Sequence, residues 1–164
     1  MIIVIRETTV NDLPFVMDIY NTARQFMSSI GNVDQWTKGY PSEQFIKEEI
    51  EARHSFVCEN QDGVLVGTFC FIIGDDPTYA EIYDGQWLNN ELYGTIHRIA
   101  SSGIEKNVAN FCIEWCFTKC KNIRIDTHRN NIVMKNIIKN QGFSYCGVIY
   151  LLDGSERIAF QKKI

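Results

Sequence analysis

"IRIDTHRNNIVMKNIIKNQGF", residues 123–143, holds a strand, a helix and both ends of that helix in one short stretch. Ile123 and Ile125 alternate with Arg124 and Asp126, the period of a buried strand. Asn131 stands where a helix N-cap belongs. Apolar residues from Ile132 to Ile138 then keep a helical spacing, and Gly142 is placed to close the helix in a left-handed turn. Strand, capped helix and a terminal Gly-Phe predict one half of an α/β layer.

Outward from this stretch the chain repeats the same grammar. "IIVIRETT" opens it as a β-branched strand. Leu13, Val16, Tyr20, Ala23 and Met27 predict a helix, with Asn11 as its cap and Pro14 tolerated in its first turn. "GNVDQWTKGYP" reads as a loop and "SEQFIKEEIEAR" as a second helix. "SFVCEN" and "VLVGTFCFII" flank Asp62-Gly63, a strong hairpin turn signal. "GDDPTYAEIYDGQWLNN" is polar and aromatic without a period, hence a long excursion. "YGTIHRIA" is a strand, "NVANFCIEWCFTKC" a helix, and "FSYCGVIYLL" with "RIAFQKK" a closing hairpin around Asp153-Gly154. The order β-α-α-β-β-β-α-β-α-β-β predicts a mixed sheet covered by helices on both faces.

The 164 residues fit one domain, residues 1–164, with no repeat or linker. A net charge of −4 gives the molecule no general pull toward nucleic acid or anionic lipid. "MIIVIRETT" meets Arg6 too early for a signal peptide or membrane span, so a cytoplasmic protein is expected. Cys112, Cys116 and Cys120 form one helical stripe. With no C-x-x-C pair and no nearby histidine, core packing is favoured over a metal site. Disulfides are not expected in a chain without an export signal.

Three stretches resemble the GCN5-related N-acetyltransferase (GNAT) superfamily: "IRETTVNDLPFVMDIY", "IHRIASSGIEKNVA" and residues 123–143. The resemblance runs over nearly the whole chain. It implies a mixed, mostly antiparallel central sheet flanked by helices, and transfer of an acetyl group from acetyl-CoA to a primary amine by direct attack. In that family the loop before the central helix reads Gln/Arg-x-x-Gly-x-Gly/Ala. Here Ile104, Glu105, Lys106, Asn107, Val108 and Ala109 stand in its place, and Ala109 alone fits. What the loop must supply is backbone N–H groups at a helix N-terminus facing a pyrophosphate. Asparagine tolerates left-handed backbone, so Asn107 can take the glycine geometry, and Lys106 adds charge for phosphate.

By the same resemblance Ile99 and Ala100 bind the pantetheine arm through their backbone, beside a splayed gap next to the following strand. Asn131 contacts the cofactor, a role compatible with capping. Two residues are candidates for the base. Asp126 matches the strand position of a family glutamate, and His97 lies on the pantetheine-contacting strand and is of the one residue type whose ordinary charge change falls near neutrality. The family's tyrosine acid is replaced by Ile138. Tyr145, Tyr150 or water is left to assist, and thiols, with a reference pKa of about 8.5, leave tolerably as thiolates. Trp36, Tyr40, Tyr83 and Asp84 are substrate candidates, since carboxylates among aromatics suit a cationic amine. The expected partners are coenzyme A, as acetyl-CoA, and a small-molecule or peptide amine. No metal, nucleic acid or membrane is expected, and a homodimer is compatible with this reading. A non-catalytic acyl-CoA-binding module on the same fold is the alternative; a nucleotide-binding regulator is weak for want of Walker or Rossmann spacing.

Overall fold

The computed structural model describes residues 1–164, the side chains of Ile2 and Ile3 excepted. Its elements follow the expected order: β1 (Ile2–Glu7), α1 (Leu13–Ser29), α2 (Glu43–Glu51), β2 (Ser55–Asn60), β3 (Leu65–Ile73), β4 (Gly94–Ser101), α3 (Val108–Lys119), β5 (Asn122–Thr127), α4 (Ile132–Asn140), β6 (Ser144–Tyr150) and β7 (Glu156–Lys163). The strands form one seven-stranded sheet in the order β1-β2-β3-β4-β5-β7-β6. Every pair is antiparallel except β4–β5.

Local chemistry sets most boundaries. Ser42 caps α2 by accepting from the Phe45 N–H. Asn60 Oδ1 accepts from the N–H groups of Asp62 and Val64, and Gly63 takes a positive φ to close the β2–β3 turn. Gly142 is left-handed at the end of α4, where the Phe143 N–H reaches the Ile138 carbonyl. One cap differs from expectation. Asp12, not Asn11, is the N-cap of α1, after a 3-10 turn over Val10–Asp12. The Asp12 carboxylate is held by Arg6 at 2.7 Å and by the Thr9 N–H at 2.7 Å. That clamp delays the helix by one residue.

Helices cover both faces. Under α3 and α4 lies the larger core, built on Phe69, Phe71, Ile96, Ile123 and Ile125. Cys58, Cys112 and Cys116 belong to it, and all six cysteines are free thiols, as the packing reading expects. On the other face α1 and α2 cover only the β2–β4 half, around Val57 and Ala100. Over β5, β7 and β6 the excursion 74–93 takes the place of a helix, burying Tyr79 and Tyr93 against Ile149 and Ala159. The sheet here is polar, and so is its cover. Arg124 is held between the rings of Trp87 and Tyr93, at 4.1 and 3.9 Å, and donates to the Asn89 carbonyl. Gln161 donates to Asn122 and Asn89 and accepts from the Leu88 N–H. A buried polar face needs such partners, which accounts for the unpatterned composition of the excursion.

The excursion also blunts the β6 edge. Tyr83 exchanges two backbone hydrogen bonds with Val148, at 2.8 and 2.7 Å. A side chain on Gly147 would strike the Tyr83 carbonyl at 2.4 Å, and one on Gly85 the Cys146 carbonyl at 2.0 Å. Close backbone approach is what these two glycines provide.

Candidate active site at the parting of two strands

Strands β4 and β5 pair over three residues only, ending at Ile96 opposite Ile125. The cause lies on the opposite side of β4. There Thr68 faces Ala100 and Cys70 faces His97, so one extra residue sits in β4, and Arg98 takes φ 55. A bulge bends its strand, and here it steers β4 off β5. The strained residue is held firmly. The Arg98 guanidinium donates to Glu49 Oε2 at 2.9 Å and to the Tyr40 hydroxyl at 3.0 Å, and lies 4.8 Å from the centre of the Phe45 ring. Beyond Ile96, Ile99 and Ala100 have no β5 partner, so backbone polar groups on that edge are open to a ligand.

Beside the gap stands the N-terminus of α3. Asn107 adopts φ 61, ψ 22, the left-handed geometry expected of it. Its side chain makes no capping bond, so no side chain closes the first turn of α3, at Val108 and Ala109. The loop before it is folded on itself, with Ser101 Oγ accepting from the Gly103 N–H and Ser102 Oγ from the Ile104 N–H. Lys106 is exposed, and Glu105 meets the Met1 ammonium at 2.7 Å. Asn131, across the gap, is buried and caps α4 by accepting from the Met134 N–H at 3.1 Å; its amide donates to Gln35 at 2.9 Å.

At the mouth of the gap opens a cavity of about 660 Å³. His97 and Asp126, named separately from sequence, both line it, and so do Trp36 and Tyr40. Two residues of the excursion, Asp76 and Tyr79, bind that pair. His97 Nε2 lies 3.0 Å from Asp76 Oδ2, and the Tyr79 hydroxyl donates to Asp126 Oδ2 at 2.6 Å. Burial works to raise the Asp76 pKa, but hydrogen bonds from His97 and Thr78 prevail and hold it at about 2. With Asp76 ionised, Nε2 is the nitrogen that donates to it, and in the neutral imidazole Nδ1 then keeps the lone pair. Burial pushes the Asp126 carboxyl up, against the pull of His97, Tyr79 and Arg157. The Tyr79 phenol is pushed well above its ordinary range by burial and by the Asp126 charge.

Other candidates lie elsewhere. Tyr83 and Asp84 are exposed at the β6 edge and do not line the cavity. Tyr145 packs on Phe160 and Tyr150 on Tyr83, and neither reaches the cavity. Ile138, expected to face the thioester, is fully buried in the core beneath α3. Asp76 and Tyr79 belong to the acidic, aromatic excursion whose composition suits a cationic amine, but the sequence assigns neither a role at the base, and Arg98 and Arg157 carry no sequence signal. The αL bulge at Arg98 has no local sequence signal; the acidic start of "GDDPTY" was the one available hint for Asp76.

A sheet that parts beside a left-handed helix entry, with a polar cavity at the opening, defines an acyl-CoA N-acyltransferase fold. No family model matches the sequence, nor does any curated protein. Among solved structures, a GNAT-family acetyltransferase from Streptococcus agalactiae 2603 is 33% identical, with a TM-score of 0.90 over 98% of this chain and 95% of its own. A GNAT-family acetyltransferase from Listeria monocytogenes 4b F2365 shares the fold at 18% identity, with a TM-score of 0.72 over 98% of this chain and 94% of its own. The chain belongs to the GNAT family of acetyltransferases. Membership brings the general class of chemistry, acyl transfer from acetyl-CoA. Among the described residues no helix is long and apolar enough to cross a membrane, and no group of three or more His, Cys, Asp or Glu is arranged to hold a metal.

Proposed function

We propose that this protein acetylates the primary amine of a small molecule, with His97 as the base and Asp76 as the group that orients it. The observation that carries this reading is the Asp76–His97 pair at the mouth of the β4–β5 gap. An ammonium ion must lose a proton before it can act as a nucleophile. His97 Nδ1 is the atom assigned to take it, while Asp76 fixes the tautomer and offsets the imidazolium charge. Asp126 is a weaker candidate. One of its oxygens is already engaged by the Tyr79 hydroxyl. Its negative charge serves instead to favour a cation in the cavity.

The chain fits coenzyme A on two grounds: the left-handed entry to α3 and the unpartnered edge of β4. Residues 105–109 would hold the pyrophosphate, the backbone of Ile99 and Ala100 the pantetheine arm, and Asn131 would flank it. When bound, acetyl-CoA supplies the activated acetyl group. Trp36 and Tyr40 wall the acceptor side, Trp36 fixed edge-on to Tyr20 at 5.6 Å.

The test is steady-state acetyl transfer to a panel of amines of differing pKa, with coenzyme A affinity measured by calorimetry. His97→Gln is expected to lower kcat/KM by roughly 10²-fold or more, with coenzyme A affinity nearly unchanged. Asp76→Asn should lower it in the same direction by a smaller factor. A His97→Gln rate within a few-fold of wild type would remove histidine from the role. Tight coenzyme A binding with no amine acetylated would instead favour a non-catalytic module.

A further inference from the structure

The cavity wall carries several charges, and all but one of the buried ones have a partner that answers their charge or proton. Asp76 is matched with His97, Arg98 with Glu49, and Asp126 with the Tyr79 hydroxyl. Arg157, at the start of β7, is the exception. It is 6% exposed, yet its bonds run to neutral acceptors alone. Nη1 donates to the Glu156 carbonyl at 2.8 Å and Nη2 to the Gln35 carbonyl at 3.0 Å. Among the described residues no carboxylate forms an ion pair with it. The Asp126 and Asp153 charges act on it through space without a direct bond, and two carbonyl bonds leave further N–H donors of its buried fork unused. Lys38, exposed on the same cavity wall, likewise has no ion-pair partner among the described residues.

The sheet places this cation opposite the proposed base. Asp126 faces Ala159 across the β5–β7 pairing, so Arg157, two residues before Ala159, projects from the same face as Asp126. His97 and Arg157 therefore extend from strands separated by β5 alone, and both line one cavity. A carboxylate offers the planar, bidentate acceptor that a guanidinium fork suits best. We infer that the acceptor is a zwitterion of amino-acid size, whose carboxylate is received by Arg157 while its amine is presented to His97. The assignment rests on the acyltransferase reading above and narrows its substrate class. It also gives the cavity a division of labour, with the base on the β4 side and, on the β7 side, a guanidinium that no carboxylate bonds directly.

The experiment compares each of the common L-amino acids with its carboxamide and methyl ester. Acetyl transfer is measured alongside calorimetric binding to the coenzyme A-saturated protein, for wild type, Arg157→Gln and Arg157→Lys. Free acids are expected to exceed their amides and esters by roughly 10- to 100-fold in kcat/KM and in affinity, the scale of a charge-assisted hydrogen bond. Arg157→Gln should bring that ratio close to one, mainly through KM, and Arg157→Lys should retain part of it. The wild-type comparison stands even if a variant folds poorly. Amides and esters that perform as well as free acids on wild type would overturn the inference, as would a preference that survives in Arg157→Gln. Acetylation confined to amines without a carboxylate would overturn it and leave the acyltransferase reading intact. Arg157-dependent binding of free acids, with no acetylation of any amine, would uphold Arg157 as a carboxylate site while overturning the acceptor role together with that reading. Absence of both binding and turnover would overturn the two together.

Discussion

Tyr79→Phe removes a single oxygen from a ring that is 2% exposed, and leaves Asp126 without that donor. A hydrogen bond to a charged group contributes about 1.5–3 kcal/mol. For a chain of this length each kcal/mol moves Tm by about 2–4 °C, so the variant should melt about 3–12 °C lower at neutral pH. The sign of its pH dependence follows from Asp126. The folded carboxyl is raised above its ordinary 3.8 by burial. Between those two values the folded chain holds a proton that the unfolded chain has released, so stability falls as pH rises through the window. The Tyr79 bond works against that rise, and removing it widens the window and deepens the loss. Calorimetric melts of both proteins from pH 4 to 8 should show a gap that is small at the acid end and grows with pH. A gap that stays flat or narrows would refute an ionised Asp126 held by Tyr79.

Three further outcomes are expected. Asn107→Gly can keep φ 61 and should retain the rise in Tm that coenzyme A produces, whereas Asn107→Pro cannot and should lose it; an equal shift in a folded Asn107→Pro protein would move the pyrophosphate site elsewhere. Ile138→Tyr overfills a closed core and should cost about 1–3 kcal/mol without any gain in turnover; unchanged stability with faster acetyl transfer would mean that residue 138 faces the thioester. Asp12→Asn should destabilise by up to about 2 kcal/mol at pH 7, because the Arg6 guanidinium holds that carboxyl at about 2, below its ordinary 3.8. That stability is present above the ordinary value and is lost as pH falls through the folded one, so urea midpoints of the two proteins should converge near pH 2.

What the sequence disclosed was local. The Asp62-Gly63 turn, the Gly142 exit and the left-handed Asn107 each depend on a few neighbouring residues, and each stands as read. His97 and Asp126 were identifiable singly by residue type and strand position. Their linkage was not, because Asp76 and Tyr79 reach them from an excursion without a period. Its course is dictated by the polar face of β5 and β7, a property that emerges only once those strands are paired. Tyr83 and Asp84 were misjudged for the same reason: acidic and aromatic composition looks alike at a binding wall and at a sheet edge. Ile138 stands where the resemblance has a tyrosine acid, and its isoleucine side chain is enclosed by the core instead.

The single parallel pairing makes the sheet two antiparallel halves, β1 to β4 and β5 with the closing hairpin, stitched by three residue pairs. Such a short seam is the cheapest place for the ladder to open, and backbone amides there are expected to exchange with solvent sooner than those of β3 or β7. The apolar floor beneath α3 and α4 spans both halves and keeps them in register while the upper edges part. Beyond Ile96 the two strands are already apart, so a long, thin ligand seated there would break no pairing of the sheet.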